Sequence, residues 1–330
     1  MGPLLLLFWL CVFANGPYIL IKAYLRRSAS SSRIECLHSV PDSGKFRYTV
    51  KSPLECSIRS SRLIGTNGID RSFYHIVIEH NGLYKYEPGQ YCGVIPPGIS
   101  ERTKRKYAPR SYSLAPVLDD DGVDPSTSFS LGIRAPIILP ENKHMFRDIC
   151  ICSQFLSGAI PGTPVSVTGP FGKFVLSPGD LTGDRNLLFI ATGSGIVPYM
   201  GFLKAILEKS NSKIMELGRI LLLFGVQSPD TYLYRDTIER YVSDFNGRLT
   251  VIPCYSRYGV DSERGYVQDV ILREMDMVKS LCSYGGLECS VYICGHKSMK
   301  NAVMESLMTV FEGDPKRNAI MNAVKVEVYE

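Results

Sequence analysis

The most chemically suggestive stretch is Ala191-Thr192-Gly193-Ser194-Gly195-Ile196-Val197-Pro198, which follows an apolar run and opens a helical pattern. Two glycines here let backbone N–H groups approach a pyrophosphate at a helix N-terminus, and Pro198 suits a first turn that needs no N–H partner. Pro198 stands where a dinucleotide fingerprint carries its third glycine. Upstream, Arg110-Ser111-Tyr112-Ser113 joins a guanidinium for phosphate, a ring for stacking and a hydroxyl, a set that suits a flavin dinucleotide. Downstream, Tyr255, Ser256, Arg257, Arg264 and Tyr266 bring hydroxyls and cations after the strand-like Leu249–Pro253. They suit NADP rather than NAD. Gly169-Pro170-Phe171-Gly172 reads as a barrel-closing turn, and Tyr292-Ile293-Cys294-Gly295-His296-Lys297-Ser298 as a strand-to-helix junction bearing a thiol.

The elements that must position these groups fall into two grammars. From Tyr48 to Val175, short β-branched or alternating runs such as Phe73–Ile78, Tyr91–Ile95, Phe129–Ile133 and Pro164–Thr168 are separated by Gly, Pro, Asn and Asp, which predicts an antiparallel barrel or sandwich. Ser153–Leu156 begins a short helix within it. After Ser177-Pro178-Gly179-Asp180 the pattern becomes strand then helix: Asn186–Thr192 before Pro198–Lys209, Ile220–Val226 before Asp230–Tyr241, Val291–Cys294 before Ser298–Val310. That is the grammar of a parallel α/β sheet. The expected domains are therefore 46–178 and 179–330, each large enough for its own core. The acidic run Asp119–Asp124 reads as a solvated loop.

Composition narrows the function. The 330 residues are 45% hydrophobic and 21% charged with net charge +5, which excludes a disordered tail or a fibre. Residues 1–45 hold five Lys or Arg against two acids, which leaves +2 for the rest, so the body is no nucleic-acid-binding polycation. The only long apolar run, Leu4–Ile21, excludes a multi-span membrane protein. The ten cysteines show no C-x₂-C spacing. A metal centre is not expected, and their scatter fits free thiols in a reducing compartment better than a disulfide framework.

The run Leu4–Ile21 is broken at Asn15-Gly16-Pro17 and followed by basic, Ser-rich Lys22–Arg33, so residues 1–45 read as a signal and a transit segment in tandem. The arrangement resembles the bipartite leader of proteins sent through the secretory pathway to a secondary, apicoplast-like plastid, with no stable membrane insertion once the leader is removed. The alternative is a single signal anchor with a basic flank.

The order Arg-x-Tyr-Ser, Gly-Pro-x-Gly, Thr-Gly-x-Gly-Ile-x-Pro, Phe224-Gly225-Val226, Tyr-x-Cys-Gly and terminal Val326-Glu327-Val328-Tyr329 resembles the plant-type ferredoxin–NADP⁺ reductase family over about residues 50–329. The resemblance implies an N-terminal antiparallel FAD-binding β-barrel followed by a parallel, Rossmann-like α/β domain that binds NADP(H). It implies that Arg110, Cys152 and Ser153 hold the FAD phosphates, that Tyr112 and Tyr329 cover the two flavin faces, and that Ser113, Cys294 and Glu327 surround the reacting atoms. Thr192, Gly193, Gly195 and Pro198 would form the nucleotide loop, and Arg134 a basic position near the NADP phosphates. The family's Ser/basic pair for the 2′-phosphate falls on Cys254-Tyr255 without a gap, or on Ser256-Arg257 with a two-residue shift; Arg257 and Arg264 are the favoured cations, with Tyr266 on adenine.

Three departures stand out. Ala135-Pro136-Ile137-Ile138 lacks the aromatic expected for the FAD adenine. The segment before Val326 lacks the aromatic that anchors the terminal strand, and Glu330 follows the tyrosine that normally ends the chain. No cluster-type cysteine pattern exists, so the iron–sulfur centre of the implied partner, an acidic 2Fe-2S ferredoxin, belongs to a separate protein. Arg102, Lys104, Arg105 and Lys106 form either its basic docking rim or a solvated loop. The rival readings are a cytochrome b₅ reductase-like flavin reductase, which would favour NADH, and a catalytically silent flavin- or nucleotide-binding scaffold.

Overall fold

The computed structural model describes residues 48–138, 150–209, 218–261 and 264–329. The expectations for the leader and for Glu330 lie outside them. Among the described residues no helix is long and apolar enough to cross a membrane.

Six strands, β1 (Leu54–Thr66), β2 (Arg71–Glu79), β3 (Tyr91–Ile95), β4 (Arg110–Ala115), β5 (Ser128–Pro136) and β6 (Pro164–Phe171), close into an antiparallel barrel in the order β1-β2-β5-β4-β3-β6. Closure leaves no unpaired edge. Period-two alternation turns Leu54, Cys56 and Ile58 of β1 inward, where they meet Ile76, Ile78, Val94, Leu114, Phe129 and Val167. The short helix α1 (Ile151–Ser157) adds Cys152 and Leu156 to this core.

The second half, after the turn-length helix α2 (Pro178–Thr182), is a five-stranded parallel sheet of β7 (Arg185–Thr192), β8 (Ile220–Val226), β9 (Leu249–Tyr255), β10 (Glu288–His296) and β11 (Val324–Tyr329), in the order β11-β10-β7-β8-β9. Helices α3 (Val197–Lys209), α4 (Arg235–Asp244), α5 (Val267–Arg273), α6 (Met275–Ser283), α7 (Lys297–Val310) and α8 (Arg317–Asn322) connect the strands. Because both sheet faces are covered, β7 and β8 are nearly continuous apolar runs. Phe189, Tyr199, Phe202 and Tyr292 fill one face, and Ile190, Val270, Val291 and Val303 the other. The connections reverse direction between β7 and β10, so the strand carboxyl ends there open a crevice suited to a ligand.

The two halves share a core. Phe73, Ala115 and Phe174 on the barrel side pack with Val197, Met200, Phe202 and Tyr234. Gly132 of β5 permits the approach, since a Cβ there would lie 2.3 Å from Val197 Cγ2. Beside it a buried polar chain crosses the seam: His75 Nε2 lies 2.9 Å from Asp121 Oδ2, and His75 Nδ1 lies 3.1 Å from the Tyr234 hydroxyl. Tyr234 adopts a left-handed conformation (φ 56°), which costs a non-glycine residue about 1–2 kcal/mol. Burial and the bond to His75 compensate that cost. The acidic run is thus only partly a solvated loop: Asp119 and Asp120 are exposed, but the Asp121 side chain is 3% exposed, because His75 and the Leu118 N–H give its carboxylate partners.

Burial pushes the Asp121 carboxyl up, but His75, the Leu118 N–H and Arg62 outweigh burial and hold it below its ordinary value. A depressed carboxyl contributes stability above its unfolded pKa of about 4, and the contribution is lost as pH falls through the folded value. Urea midpoints should therefore drop below about pH 4, with a shallower drop in Asp121→Asn; an unchanged slope would contradict the assignment. Tyr234→Phe should cost about 1 kcal/mol at neutral pH.

Candidate flavin and nucleotide site

Where the barrel rim meets the carboxyl ends of β7, β8 and β10 there is a cleft of about 890 Å³. Its barrel wall includes Phe73, Tyr112, Ser113 and Arg134, and its sheet wall includes Thr192, Gly193, Ser194, Ser256, Arg257 and Tyr266. Tyr112 and Ser113 reach it because β4 presents them at the rim, where Tyr91 of β3 pairs with Ser113 and Cys92 with Tyr112. The turn after β7 is a single 3₁₀ segment, Gly193–Ile196, leading into α3. Gly195 lets this turn lie against β10, since a Cβ would stand 2.3 Å from the Cys294 carbonyl oxygen. Pro198 is buried in the first turn of α3 and supports the loop without lining the cleft.

The terminal strand brings the remaining groups. In the parallel register of β10 and β11, Cys294 pairs with Glu327 and His296 with Tyr329. Tyr329 enters the cleft, its hydroxyl 2.8 Å from Ser113 Oγ and 3.2 Å from Cys294 Sγ. Burial pushes the Tyr329 phenol, the Cys294 thiol and the half-buried Glu327 carboxyl up from their ordinary values. A neutral, protonated phenol and thiol are therefore what this corner favours at physiological pH.

The aromatic absent before Val326 is replaced by a polar anchor. Lys325 Nζ donates to the Val175 carbonyl (3.0 Å) and to the Tyr292 hydroxyl (2.8 Å), which in turn donates to buried Asp180 (2.6 Å). Burial raises the Asp180 carboxyl, but donors from Ser177, Tyr292 and Ser290 hold it below its ordinary value. Beneath the site the Tyr199 hydroxyl, 3.0 Å from the Ile190 carbonyl and 2.8 Å from that of Tyr292, ties α3 to both β7 and β10.

Not every residue singled out from sequence lines the cleft. Glu327 stands one strand behind it, and Tyr255 packs against Tyr258 and the sheet core. Arg264 is paired with Asp261, whereas Arg257 lines the cleft and has no ionic partner among the described residues, so the geometry separates two cations that spacing could not. Cys152 points into the barrel core, its thiol pushed up to about 11 by burial, and Ser153 turns back to the Cys150 carbonyl. Arg110 is exposed at the start of β4, close enough to Tyr112 and Cys152 to act on both electrostatically.

Sequence reasoning missed Arg71, Gln227, Gln268, His296 and Ser298 in the lining. The junction after Cys294 was visible, but not that His296 would cap α7, accepting from the Ser298 N–H at 3.3 Å, and so face the cleft. Arg71 could have been found only through its strand, which pairs Phe73 with Arg134.

A family profile described as an oxidoreductase NAD-binding domain matches residues 189–305. A root-type chloroplastic ferredoxin–NADP reductase of Nicotiana tabacum is 33% identical over 272 residues, covering 80% of this chain and 70% of the tobacco protein. The chain belongs to the ferredoxin–NADP reductase family. The apicoplast ferredoxin–NADP reductase of Plasmodium falciparum is 27% identical over 319 residues, covering 86% of this chain and 83% of its own. A solved structure of the Plasmodium falciparum reductase with 2′P-AMP matches at TM-score 0.65 and 30% identity, covering 86% of this chain and 98% of that one.

The barrel followed by a parallel sheet is the reductase architecture, and this chain is an FAD- and NADP-dependent oxidoreductase. The cleft fits both groups. It offers an aromatic ring and a hydroxyl on the barrel wall, a glycine turn of which Gly193 lines the cleft in a left-handed conformation (φ 53°), and a cation with an exposed aromatic, Arg257 and Tyr266, at the far end. Arg257→Gln should raise the KM for NADPH tenfold or more and leave that for NADH within about threefold, as for the loss of one charged hydrogen-bonding partner. Arg264→Gln should change neither by more than about threefold. Steady-state kinetics with both coenzymes checks this, and equal effects of the two substitutions would contradict it.

Proposed function

We propose that the enzyme exchanges electrons between NADP(H) and ferredoxin, with Ser113, Cys294 and Tyr329 forming the corner where nicotinamide meets flavin. The single observation that carries this reading is the convergence of Ser113 and buried Cys294 on the hydroxyl of Tyr329, which lines the same cleft as Arg257 and Tyr266. FAD and nicotinamide supply the hydride chemistry when bound. The protein's part is orientation and electrostatics.

In this reading Tyr112 on the barrel wall and Tyr329 on the terminal strand would hold the flavin ring by stacking, and Tyr329 would have to move aside to admit nicotinamide. Glycine-turn backbone N–H groups at Gly193 and Gly195 receive the pyrophosphate at the start of α3. Arg257 and Ser256 hold the 2′-phosphate while Tyr266, 62% exposed, stacks on adenine. The relative crystallised with 2′P-AMP supports a 2′-phosphate site in the corresponding domain. Arg110 and Arg134 remain the cations for the FAD and NADP phosphates. Glu327, raised by burial and beside Cys294, is suited to hold a proton near the reacting atoms. We read residues 46–178 as the flavin domain and 179–330 as the nucleotide domain.

The partner is an acidic 2Fe-2S ferredoxin. Arg102, Lys104, Arg105 and Lys106 are all exposed on the loop that leads to β4 and have no ion pair among the described residues. The loop is held in shape by backbone bonds between Ser100 and both Lys104 and Arg105, so its cations are presented together. Plastid and apicoplast relatives support a plastid location, and the tandem leader supports a secondary plastid reached through the secretory pathway.

Anaerobic mixing of the purified flavoprotein with NADPH should bleach the flavin far faster than NADH does, and addition of a plant-type ferredoxin should then produce reduced ferredoxin. NADH preference would favour a cytochrome b₅ reductase-like enzyme, and flavin binding without reduction a silent scaffold. Ser113→Ala and Cys294→Ala should slow single-turnover flavin reduction by tenfold or more while FAD content is retained, in line with the cost of misplacing a reacting pair. Unchanged reduction rates in both variants would overturn the assigned corner.

A further inference from the structure

On the sheet face opposite Tyr292 and Cys294, Cys282 at the end of α6 and Cys289 near the start of β10 are both buried, with their sulfurs 3.1 Å apart, inside the van der Waals contact of two sulfurs. They join the core formed by Ile190, Val291 and Ile293, not the one that holds Tyr292 and Cys294. The connection between them is Ser283-Tyr284-Gly285-Gly286-Leu287-Glu288, in which Gly285 (φ 61°) and Gly286 (φ 72°) take left-handed conformations and residues 283–286 are exposed. The two thiols therefore lie just beneath a surface turn that only glycine closes so tightly.

We propose that Cys282 and Cys289 are a redox-active dithiol that a glutathione-type disulfide converts to an intramolecular disulfide. The step balances. One thiol loses its proton and its thiolate attacks the oxidant's S–S bond, forming a mixed disulfide and releasing one glutathione thiol. The second thiolate then attacks the protein sulfur, forms the Cys282–Cys289 bond and releases the second glutathione thiol. The protein gives up two electrons and two protons, and the oxidant takes both.

The contact with Cys282, together with burial, pushes the Cys289 thiol well up, and both sulfurs are shielded from a bulky oxidant while the pair is closed. Reaction therefore requires the glycine turn to open, a local event that the exposed turn makes accessible without unfolding the sheet. Once one sulfur carries glutathione, the other is already at contact distance, and closure outcompetes a second adduct. The bond would close a short loop and fasten α6 to β10. It would leave the side of β10 that faces flavin untouched, because Cys289 and Cys294 lie on opposite faces of that strand. The device acts on endurance and not on catalysis, and it does not depend on the identity of the electron partner.

The test is incubation of the full-length, flavin-loaded enzyme with glutathione disulfide, followed by intact-mass measurement and cleavage after Glu288, which separates the two cysteines. The expected result is loss of two hydrogens and two halves that stay joined, both reversed by dithiothreitol, in wild type and in Cys294→Ala. The thermal midpoint should rise by about 5 °C and the rate of flavin reduction by NADPH should stay within twofold. Cys282→Ser and Cys289→Ser should each give no link. Halves that separate after exposure, a persistent glutathione adduct on either cysteine, or a link made only through Cys294 would each overturn the proposal, and the wild-type result stands whether or not the serine variants fold.

Discussion

The hydroxyl of Tyr329 lies 2.8 Å from Ser113 Oγ and 3.2 Å from Cys294 Sγ, so a barrel strand, a sheet strand and the last strand of the chain meet at one group. Elements from both halves of the described chain converge on that meeting. The closed barrel fixes β4, whose rim carries Tyr112 and Ser113. The parallel sheet fixes the carboxyl end of β10, and with it Cys294. Close approach of Gly132 to Val197 brings the two walls together, and Gly195 lets the turn after β7 lie against β10 beside Cys294. Packing sets the approach, and polar groups set its register. The His75–Asp121–Tyr234 chain fastens one end of the seam, and the Lys325–Tyr292–Asp180 chain fastens the strand that bears the tyrosine. Such buried networks specify one arrangement because any slip leaves a desolvated polar atom without a partner.

The division of labour follows from the cofactors. Hydride chemistry belongs to nicotinamide and flavin, so the protein needs no strong nucleophile at the corner, and the environment supplies none. Burial favours the protonated Cys294 thiol and Tyr329 phenol, neutral groups of the kind that the proposed meeting of the two rings calls for. A thiolate there would be an oxidisable charge next to a redox centre. At the far end of the cleft the proposed requirement reverses, and Arg257, without an ionic partner among the described residues, is free for the phosphate that the proposal assigns to it.

Much of this was legible in the sequence, for identifiable reasons. Apolar periodicity predicted an antiparallel barrel or sandwich and the parallel sheet, because each strand's environment, one face or two, is written in its alternation, and the family resemblance selected the barrel. The glycine turn at Gly193 and Gly195 was legible because a left-handed residue and a close approach to β10 each demand glycine at a fixed place after the strand. What stayed hidden depends on distance in the chain. Asp121 read as one acid in a solvated run, and only the fold brings it to His75 and Tyr234, so its burial has no local signature. Arg257 and Arg264 were indistinguishable until Asp261 was seen to occupy the second. The terminal strand read as weakly anchored for want of an aromatic, yet Lys325 fixes it through Val175 and Tyr292, far away in sequence.

If the Tyr329 ring occupies the place that nicotinamide must take, binding has to break the bonds to Ser113 and Cys294, at about 1 kcal/mol each. The most direct measurement is an equilibrium titration of wild type and Tyr329→Ala with NADP⁺, followed by the change in flavin absorbance. Removing the ring should tighten NADP⁺ binding by about tenfold or more, since the displacement cost disappears. Unchanged or weaker binding in the variant would mean that the tyrosine does not stand in the nicotinamide's way, and the assigned meeting point of the two cofactors would be wrong.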